Sequence, residues 1–450
     1  MKSLLKALTV AGSDSGGGAG IQADLKTFSA FGVFGTSAIT SVTSQNSFGV
    51  HSNYDLPEGV VASQLKAVLS DEKPSAVKTG MLGNEAIVEQ VVALFKKNRV
   101  KNLVVDPVTK SSSGKILLSK EGVEVMKKRL LPLAVLVTPN LSETQVLSKI
   151  RILRPADRLK AARVILETGV QAVLIKGGHT RGNADDFFFD GKREIILPSP
   201  RIGKDDPHGT GCALSAAITA GLAKRWDLLT AVEKAKDFMR DSIQSAVRSG
   251  GGSICVQPLA GLYRNRDKWK LFQSVFHAIE TLKKAKIGRL IPEVQSNLGV
   301  GLKNASALND VIGIPGRIIK KNEDIVTLES PTFGGSRHVA DIVLTVMKHD
   351  PNKTAVMNIK YTDELLEVCR KLKFKIASFD RKREPKKVRF CEGSSLEWGT
   401  NQAICDYGSV PDIIYDLGGI GKEEMIRVIA RDVESLVERI LKIHKTFLKI

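Results

Sequence analysis

Residues 204–223 read KDDPHGTGCALSAAITAGLA, a polar glycine-rich turn followed directly by an apolar run. The run that begins at Ala213 predicts a helix, so the turn presents successive backbone N–H groups at a helix N-terminus. These first amides have no intrahelical acceptor and carry partial positive charge, which makes the turn suitable for binding an anion. The same position predicts a lowered pKa for the Cys212 thiol. The turn therefore favours phosphoryl transfer.

Upstream of this turn, short apolar runs alternate with helical patterns through residues 1–250. Strands are predicted at residues 4–11, 76–79, 102–106, 133–138 and 172–176, and helices at residues 22–31, 57–70, 85–97 and 159–168. Alternation of this kind is typical of βαβ units, so we expect a mostly parallel sheet covered by helices. Two further short strands, at residues 184–189 and 193–197, are joined by Asp190-Gly191 and predict a β-hairpin.

The alternation ends near residue 250 and resumes after a charged helical stretch at residues 264–286. The second segment predicts strands at residues 324–328, 354–359, 374–379 and 412–417, and helices at residues 339–347, 363–372 and 422–444. The chain is therefore predicted to contain a first α/β domain at residues 1–262, a helical linker at 263–287 and a second α/β domain at 288–450.

The composition is that of a globular protein, with 450 residues, 42% hydrophobic and 26% charged. No run approaches the roughly 18 uncharged apolar residues of a membrane span, so we expect no membrane partner. The apolar N-terminal stretch leads directly into a glycine-rich turn, which predicts a first β-strand and not a signal peptide. The expected location is cytoplasmic.

Cysteine spacing and charge exclude further classes of function. The five cysteines show no C-x-x-C and no metal-like spacing, so we expect reduced thiols and neither disulfides nor a zinc site. The formal net charge of +19 is shared by both halves of the chain, whereas a nucleic-acid-binding arm would concentrate it. Phosphorylated small molecules are the expected ligands, with no nucleic-acid partner. The cysteines are Cys212, Cys255, Cys369, Cys391 and Cys405.

Polar residues follow several predicted strands of the first domain. The glycine-rich stretch at residues 11–20 comes after the first strand, and its glycines allow a ligand to approach the backbone closely. Asp106 closes a later strand, at the carboxyl edge of a parallel sheet, where ligands bind. Asn140 and Glu143 follow another strand and suit a metal–phosphate group, while Lys176 offers a cation for nucleotide phosphates.

The motifs of the first domain occur in a family-specific order: AGSDSGGGAGIQADLKT, Gln45-Asn46, KTGML, VVDPV, TPNLSE, KGGH and HGTGC. With these motifs, residues 4–257 resemble the hydroxymethylpyrimidine/phosphomethylpyrimidine kinases of thiamine biosynthesis. That family implies the ribokinase-like fold, a mostly parallel sheet with flanking helices. It also implies two successive phosphorylations by ATP. The first acts on the hydroxymethyl group of 4-amino-5-hydroxymethyl-2-methylpyrimidine, and the second converts the monophosphate to the diphosphate.

The resemblance implies that Gln45 hydrogen-bonds the edge of the pyrimidine. For His208 we expect a structural role and not a catalytic one. Thr109 follows VVDPV where many members have methionine, so this chain departs from the family there. Pyridoxal kinase is the nearest alternative within the fold, and Gln45 together with residues 80–82 favours the pyrimidine. The implied walls of the pyrimidine pocket are Gly12, Asp24, Val42 and Met81.

The resemblance also implies the groups for phosphoryl transfer. Cys212 stands where many ribokinase relatives carry an aspartate base, so it is the candidate that deprotonates the acceptor. The alternative is that Cys212 is a passive small residue and that the backbone amides of the turn supply the catalytic contribution. The backbone amides implied to hold the transferring phosphoryl group are those of Gly209, Thr210, Gly211 and Cys212. The implied metal and nucleotide contacts are Asp106 and Glu143 for Mg²⁺, and Asn140 and Lys176 near the phosphates of ATP.

Two features mark the second domain. Arg317 and His338 lie 21 residues apart, each next to glycine-containing turns. Residues 415–423, YDLGGIGKE, predict a strand, a glycine turn and the start of a helix, with Lys422 beside the turn. A helix entry of this kind is a second candidate site for an anion.

Together with the first domain, these features resemble the archaeal type of thiamine-phosphate synthase over residues 270–450. This family implies an α/β fold of the class II aldolase/adducin type. Its reaction joins hydroxymethylpyrimidine diphosphate to hydroxyethylthiazole phosphate and releases pyrophosphate. Arg317 would bind phosphates and His338 would donate a hydrogen bond or a proton to the leaving group. Arg337 and the glycine turn are expected to assist in binding phosphates.

Domains of this second type also serve as ligand sensors. A sensor is expected to lack the arginine–histidine pair and to bring a DNA-binding helix-turn-helix. The sequence keeps Arg317 and His338 and has no pattern for such a module, which favours catalysis. The resemblance further implies a homodimer.

Overall fold

The computed structural model describes residues 4–111, 114–178, 183–199, 201–202, 207–385, 394–419 and 421–450. Its contacts divide the chain into two compact units, Met1–Tyr263 and Arg264–Ile450, called unit 1 and unit 2 below. The division falls inside a long helix that occupies most of the predicted linker. Several residues discussed above lie outside the described ranges, namely His179, Lys204, Asp205, Asp206, Cys391 and Ile420.

Unit 1 contains a sheet with nine strands among its described residues, in the order β3-β2-β1-β4-β5-β6-β7-β8-β9. The strands from β2 to β7 are parallel, while β3 at one edge and β8 and β9 at the other run antiparallel. The strands are β1 Lys6–Asp14, β2 Phe34–Asn46, β3 Gly49–Asp55, β4 Ala76–Thr79, β5 Leu103–Val105, β6 Leu136–Val137, β7 Val173–Ile175, β8 Asp186–Phe189 and β9 Glu194–Leu197.

Helices cover both faces of this sheet and bury a separate apolar cluster on each face. One cluster, around Leu65 and Phe95, packs α2 to α6 against the sheet. The other, around Phe28 and Ile218, packs α1, α7 and α8 against the opposite face. The helices are α1 Gly20–Ala30, α2 Glu58–Asp71, α3 Glu85–Lys97, α4 Lys120–Val125, α5 Leu141–Ser148, α6 Pro155–Leu166, α7 Thr210–Ala223 and α8 Leu228–Gln244.

The mostly parallel sheet and its flanking helices confirm the fold predicted for the first domain. Sequence analysis did not predict β2 and β3, which form an antiparallel edge hairpin. β2 is rich in serine and threonine, β3 is mostly polar, and both strands are largely half-buried or exposed, so their apolar pattern is weak. The predicted hairpin at residues 184–189 and 193–197 is present as β8 and β9.

Unit 2 contains a seven-stranded sheet among its described residues, in the order β14-β11-β10-β15-β18-β17-β16, and a two-stranded ribbon of β12 and β13. Neighbouring strands of the larger sheet are antiparallel except β16 and β17. The strands are β10 Leu298–Gly301, β11 Val311–Gly313, β12 Ile318–Lys321, β13 Asp324–Thr327, β14 Thr332–Phe333, β15 Ala355–Lys360, β16 Ile376–Ser378, β17 Ile413–Asp416 and β18 Met425–Ala430.

Helices again lie on both faces, so unit 2 is an α/β unit with its own core. One buried cluster includes Leu282 and Leu436 and packs α9, α11 and α13 on the sheet, and the other includes Val343 and Ile404 and packs α10 and α12. Among the described helices of the chain, none is both long and apolar enough to cross a membrane. The helices are α9 Ala260–Lys284, α10 Arg337–His349, α11 Asp363–Lys371, α12 Ser394–Tyr407 and α13 Val433–Phe447.

One predicted element of unit 2 is wrong. Residues 422–444 do not form one helix, because Met425–Ala430 is the strand β18 and the helix α13 begins only at Val433. All six side chains of β18 are buried, as expected for a strand covered on both faces, and such a run cannot be told from a buried helix by its period. The glycine turn before Lys422 therefore connects two antiparallel strands and is not a helix entry.

Candidate active sites

Unit 1 has a cavity of about 580 Å³ at the carboxyl ends of its parallel strands. Residues from the turn before α7, from the glycine-rich stretch that includes the end of β1 and from the ends of β5 and β7 all line it. This is the edge at which ligands bind in open α/β sheets. Of the residues predicted for this site, those in its wall are Gly12, Gln45, Met81, Asp106, Asn140, Glu143, Lys176, Gly209, Thr210, Gly211 and Cys212.

The turn before α7 is held in a conformation that requires glycine. Gly209 is the N-cap of the helix with φ of 87°, and a Cβ added to it would lie 1.9 Å from the carbonyl oxygen of Gly18. The helix then begins at Thr210, so the amides of its first turn lie at the cavity wall. A Cβ added to Gly211 would lie 3.3 Å from the Lys176 ammonium, so a cation stands beside this helix N-terminus.

A buried cluster of Asp106, Glu143 and Lys176 lies next to these amides. Lys176 donates a hydrogen bond of 2.8 Å to the Asp106 carboxylate and lies 3.9 Å from the nearer oxygen of Glu143. Thr138 and Ser215 also donate to Asp106, at 3.2 and 3.3 Å. The cavity thus joins one cation and two carboxylates to a helix N-terminus.

The electrostatics of this cluster follow from burial and from its opposite charges. Burial tends to raise the pKa of Asp106, but the lysines Lys176 and Lys78 outweigh it, so that pKa lies below its usual value. Burial and the nearby Asp106 raise the pKa of Glu143 to about 7, despite the attraction of Lys176. Burial works against the charged form of Lys176, yet Asp106 and Glu143 hold its pKa above the usual value. Asp106 and Lys176 are therefore charged at neutral pH.

Asn140 and Glu143 also have a structural role at the start of α5. The Asn140 side chain accepts a hydrogen bond from the Glu143 amide at 2.8 Å, and the Glu143 carboxylate accepts one from the Asn140 amide at 2.7 Å. This reciprocal capping box fixes the start of the helix and the direction of both side chains. Within the described ranges, the structure contains no group of three or more His, Cys, Asp or Glu side chains placed to hold a metal ion.

Cys212 differs from the prediction in its acidity. Burial raises the pKa of its thiol to about 11, and the carboxylates of Asp24 and Asp106 add to this rise while Lys78 opposes it. The helix N-terminus alone predicts the opposite direction. Removal from water and two buried carboxylates explain the difference, because both disfavour a thiolate.

Gln45 reaches the cavity together with His208. The Gln45 Nε2 and the His208 Nε2 are 2.8 Å apart, and His208 also lies 3.7 Å from the Asp14 carboxylate. Burial would raise the pKa of Asp14, but the nearby His208 and hydrogen bonds from the Ala19 and Gly16 amides lower it. His208 therefore links Asp14, the last residue of β1, to Gln45 on β2.

Two residues predicted for the pyrimidine pocket lie elsewhere. The Val42 side chain is exposed and does not line the cavity, whereas its neighbour Thr43 does, since successive side chains of β2 point to opposite faces. Asp24 is fully buried behind the wall, where it pairs with Lys78 and accepts a 2.6 Å hydrogen bond from Thr9. Gly12 and Met81 therefore line the cavity together with Thr43, while Asp24 and Val42 are not among its lining residues.

Unit 2 has a cavity of about 510 Å³ that brings Arg317 and His338 into one wall. Arg317 lies in the turn between β11 and β12 with φ of 72°, and its guanidinium donates to the carbonyl oxygen of Val294. His338 is the second residue of α10. Arg337, its neighbour, is not among the residues that line this cavity.

The floor of this second cavity is a row of polar side chains across three adjacent strands. Asn358 on β15 is paired with Arg427 on β18, so both side chains lie on the same face of the sheet. Asn297, just before β10, donates its amide N–H to the Asn358 side chain at 2.7 Å and its own side chain to Ile314 at 2.8 Å. The antiparallel register of the sheet thus gives the cavity a polar floor.

Lys422 completes the wall near the glycine turn between β17 and β18. Its ammonium donates to the Ser395 hydroxyl at 3.1 Å and lies 3.8 Å from the Glu384 carboxylate. Gly418 and Gly421, at φ of 69° each, allow the chain to reverse here. The turn contributes a cation to the cavity, although not through a helix N-terminus.

Comparison with known proteins identifies both units. A family model for phosphomethylpyrimidine kinase matches residues 14–257, and one for thiamine-phosphate synthase ThiN matches residues 274–442. The bifunctional thiamine biosynthesis protein ThiDN of Methanocaldococcus jannaschii is 36% identical over 445 residues, 98% of each chain. The chain belongs to the ThiDN family of bifunctional thiamine biosynthesis proteins. It has a kinase domain and a thiamine-phosphate synthase domain.

Proteins that match only the kinase domain support the same assignment, and some of them have solved structures that resemble it. A hydroxymethylpyrimidine/phosphomethylpyrimidine kinase of Rhizobium meliloti is 47% identical over 244 residues, 54% of this chain and 91% of the relative. A pyridoxal kinase of Staphylococcus aureus, solved with AMP-PCP and pyridoxal, is 36% identical with a TM-score of 0.54. That comparison covers 58% of this chain and 95% of the pyridoxal kinase.

Three side chains at the sites of this ThiDN family member were not predicted from its sequence. Lys78 lines the kinase cavity, pairs with Asp24 and donates to the Cys212 carbonyl oxygen at 3.4 Å. Arg381 and Arg427 line the second cavity. Lys78 belongs to the KTGML motif, but the sequence of an apolar strand does not indicate which carboxylate its lysine pairs with. Arg381 and Arg427 are 46 residues apart in the chain and meet only through the fold.

Proposed function

We propose that unit 1 transfers the γ-phosphoryl group of ATP to 4-amino-5-hydroxymethyl-2-methylpyrimidine and then to its monophosphate. The observation that carries this proposal is the meeting of the α7 N-terminus, Lys176 and Asp106 with Gln45 in one cavity. Phosphoryl transfer depends mainly on positioning and on neutralising charge, which these groups supply.

In this proposal the amides of Thr210, Gly211 and Cys212 bind the transferring phosphoryl group, and Lys176 neutralises the nucleotide phosphates. The acceptor oxygen forms a bond to the γ-phosphorus while the bond to the β–γ bridging oxygen breaks, so ADP leaves. The thiolate form of Cys212 takes the proton of the hydroxyl group. Gln45 orients the pyrimidine against Gly12 and Met81, and Asn140 contacts the phosphates of ATP; all four residues line the cavity.

Mg²⁺ is part of the proposal for this site. In nucleotide sites the ion is usually bound by one or two carboxylates together with phosphates and water, so a dedicated cage of protein ligands is not required. Asp106 and Glu143 are both nearly buried and both line the cavity, which suits that small donor set. Bound there, the ion would neutralise charge on the phosphates.

We propose that unit 2 joins the resulting diphosphate to hydroxyethylthiazole phosphate. The observation that supports this proposal is that Arg317 and His338 line the same cavity. The bond between the pyrimidine methylene and the diphosphate oxygen breaks, the thiazole nitrogen bonds to the methylene, and pyrophosphate leaves. Arg317 neutralises the negative charge of the phosphates, and His338 donates a hydrogen bond or a proton to the leaving oxygen. A class II aldolase/adducin-type fold, a homodimer and a cytoplasmic location remain part of this proposal.

The decisive experiment supplies the whole chain with ATP, Mg²⁺, hydroxymethylpyrimidine and hydroxyethylthiazole phosphate. Thiamine phosphate is the expected product, and His338→Ala is expected to accumulate the pyrimidine diphosphate instead. If the chain with intact Arg317 and His338 makes diphosphate but no thiamine phosphate, unit 2 is a ligand sensor and not a synthase.

A second substrate for the kinase domain is suggested by the likeness to pyridoxal kinases of known structure. Pyridoxal also presents a hydroxymethyl group on a nitrogen heterocycle, so the same cavity could accept it. Parallel assays with both alcohols distinguish the two. Faster turnover of pyridoxal than of hydroxymethylpyrimidine would overturn the pyrimidine assignment.

A further inference from the structure

A buried ion cluster of Asp416, Arg381 and Arg427 stands at the wall of the unit 2 cavity. The side chain of Asp416 is fully buried, and those of Arg427 and Arg381 are 3% and 11% exposed. One carboxylate therefore contacts two guanidinium groups. The cluster carries an excess positive charge in a place where water screens it poorly.

The geometry fixes both guanidinium groups in place. Arg381 binds Asp416 through two nitrogens, one to each carboxylate oxygen, and Arg427 lies 2.7 Å from the second oxygen. The amide of Gly418 donates to the first oxygen at 3.0 Å. Both guanidinium groups also lie over the ring of Phe379, at 5.5 and 5.3 Å from its centroid. Their orientation is set before any ligand binds, which lowers the cost of binding one.

The same guanidinium groups line the cavity, so their charge faces a space that a ligand can enter. Burying an excess charge is costly unless an opposite charge compensates it. Ser296 adds a further polar group to the same cavity. It is fully buried, and its hydroxyl has no hydrogen-bond partner within the described residues. The arginines thus offer two fixed cations to an incoming anion, and Ser296 gives the same cavity a hydroxyl that is unpaired in the part of the chain that the structure describes.

We propose that Arg381 and Arg427, oriented by Asp416, form a phosphate subsite in addition to Arg317. The planar guanidinium groups suit two-point hydrogen bonding to phosphate oxygens. This inference rests on the proposed synthase function, because it assigns a binding role within that reaction. Its ligand is a phosphate group, which in this reaction comes either from the pyrimidine diphosphate or from the thiazole phosphate.

The test replaces Arg381, the more exposed of the pair, in the whole chain. Arg381→Met removes the charge while keeping similar bulk, and Arg381→Lys keeps the charge but not the planar fork. Lys382→Met is the matched control, because it removes an exposed cation at the next position that does not line the cavity. Thiamine-phosphate formation is measured with varied concentrations of each substrate, and pyrophosphate is added as a product inhibitor.

Loss of one charged hydrogen-bonding partner should weaken phosphate binding by about ten- to hundredfold in Arg381→Met, with a smaller loss in Arg381→Lys. If the subsite holds the diphosphate, KM for the pyrimidine diphosphate and the inhibition constant of pyrophosphate both rise. If it holds the thiazole phosphate, only KM for that substrate rises. Values for Arg381→Met that match those for Lys382→Met in all three measurements overturn the proposal.

A binding measurement separates this outcome from failure of the synthase function. If the unaltered chain makes no thiamine phosphate, pyrophosphate and inorganic phosphate are titrated calorimetrically into a Lys176→Met chain. The Lys176→Met substitution removes a cation from the kinase cavity and so weakens anion binding there. Binding that is about tenfold or more weaker after Arg381→Met supports an anion subsite in a non-catalytic unit. Equal binding with and without Arg381→Met, in chains with the same circular dichroism spectrum, refutes it.

Discussion

Cys212 illustrates how burial can reverse an acidity that a helix N-terminus predicts. With a pKa of about 11 the thiol is protonated at neutral pH, so the proposed base is present only as a small thiolate fraction. That fraction grows tenfold per pH unit below the pKa. We therefore expect log kcat of the first phosphorylation to rise between about pH 7 and pH 9, and Cys212→Ala to lower kcat by about 10²- to 10⁴-fold with a flatter profile.

Cys405→Ala is the control for this pH profile, because Cys405 is an exposed thiol in unit 2. It should leave both rate and slope unchanged. If Cys212→Ala keeps the slope of the unaltered enzyme, another group removes the proton and the α7 amides carry the catalytic role of this segment.

Glu143 makes the stability of unit 1 depend on pH in the opposite direction to a salt-bridged carboxylate. Its pKa is raised from 4.5 to about 7 in the folded protein, chiefly by burial. Between these values the folded chain keeps a proton that the unfolded chain has released, so stability falls as pH rises from about 4.5 to about 7. Glu143→Gln removes this cost and keeps an oxygen for the capping box.

We expect Glu143→Gln to be more stable than the unaltered chain at pH 8 by about 2–4 kcal/mol, and equally stable near pH 4.5. Denaturant unfolding of unit 1 across this pH range measures the difference. Glu85→Gln, the same exchange at an exposed position in the first turn of α3, should show no such divergence. If the free energy of unfolding varies with pH in the same way for Glu143→Gln and for the unaltered chain, the raised pKa of Glu143 is contradicted.

At the scale of elements, the start of α7 depends on the backbone freedom of one glycine. Gly209→Ala would place a Cβ at φ of 87° and within 1.9 Å of a backbone oxygen. The helix N-terminus must then shift, and a displacement of about 1 Å can cost about a hundredfold in rate. We expect kcat/KM for ATP-dependent phosphorylation to fall by about ten- to hundredfold, with thiamine-phosphate formation from supplied diphosphate unchanged.

Gly59→Ala is the matched control for Gly209→Ala. Gly59 lies in α2, where an added Cβ meets no atom within 4 Å, and alanine is the better helix former. Normal kinase activity in Gly209→Ala would show that the position of the α7 amides does not limit phosphoryl transfer.

Elements also show which parts of the structure the sequence could predict. The alternation of strands and helices and the glycine turn before α7 identified the fold of unit 1, because local periodicity and turn chemistry decide those features. β18 was mistaken for a helix start because a strand buried on both faces has no alternation. The family resemblance implies Val42 as a pocket residue, whereas the side chain on β2 that lines the cavity is that of its neighbour Thr43, because successive side chains of a strand point to opposite faces. The pairs Lys78–Asp24 and Arg427–Asp416 depend on tertiary contacts that no local pattern reports.

At the scale of the whole molecule, each unit has its own buried clusters and its own cavity. Leu65 belongs to a cluster formed entirely by unit 1, and Leu436 to one formed entirely by unit 2. Both leucines are completely buried, so truncation to alanine leaves a cavity that costs about 2–5 kcal/mol. Because the cores are separate, each truncation should destabilise the unit that contains it.

We therefore expect Leu436→Ala to lower the temperature at which thiamine-phosphate formation is lost, by about 2–4 °C per kcal/mol, while the kinase keeps its inactivation temperature. Leu65→Ala should do the reverse. Residual activity of each reaction after brief heating measures both effects in one chain, with diphosphate supplied for the second reaction so that it does not depend on the first. If either truncation lowers both inactivation temperatures equally, the two units unfold together and their separate cores do not confer separate stability.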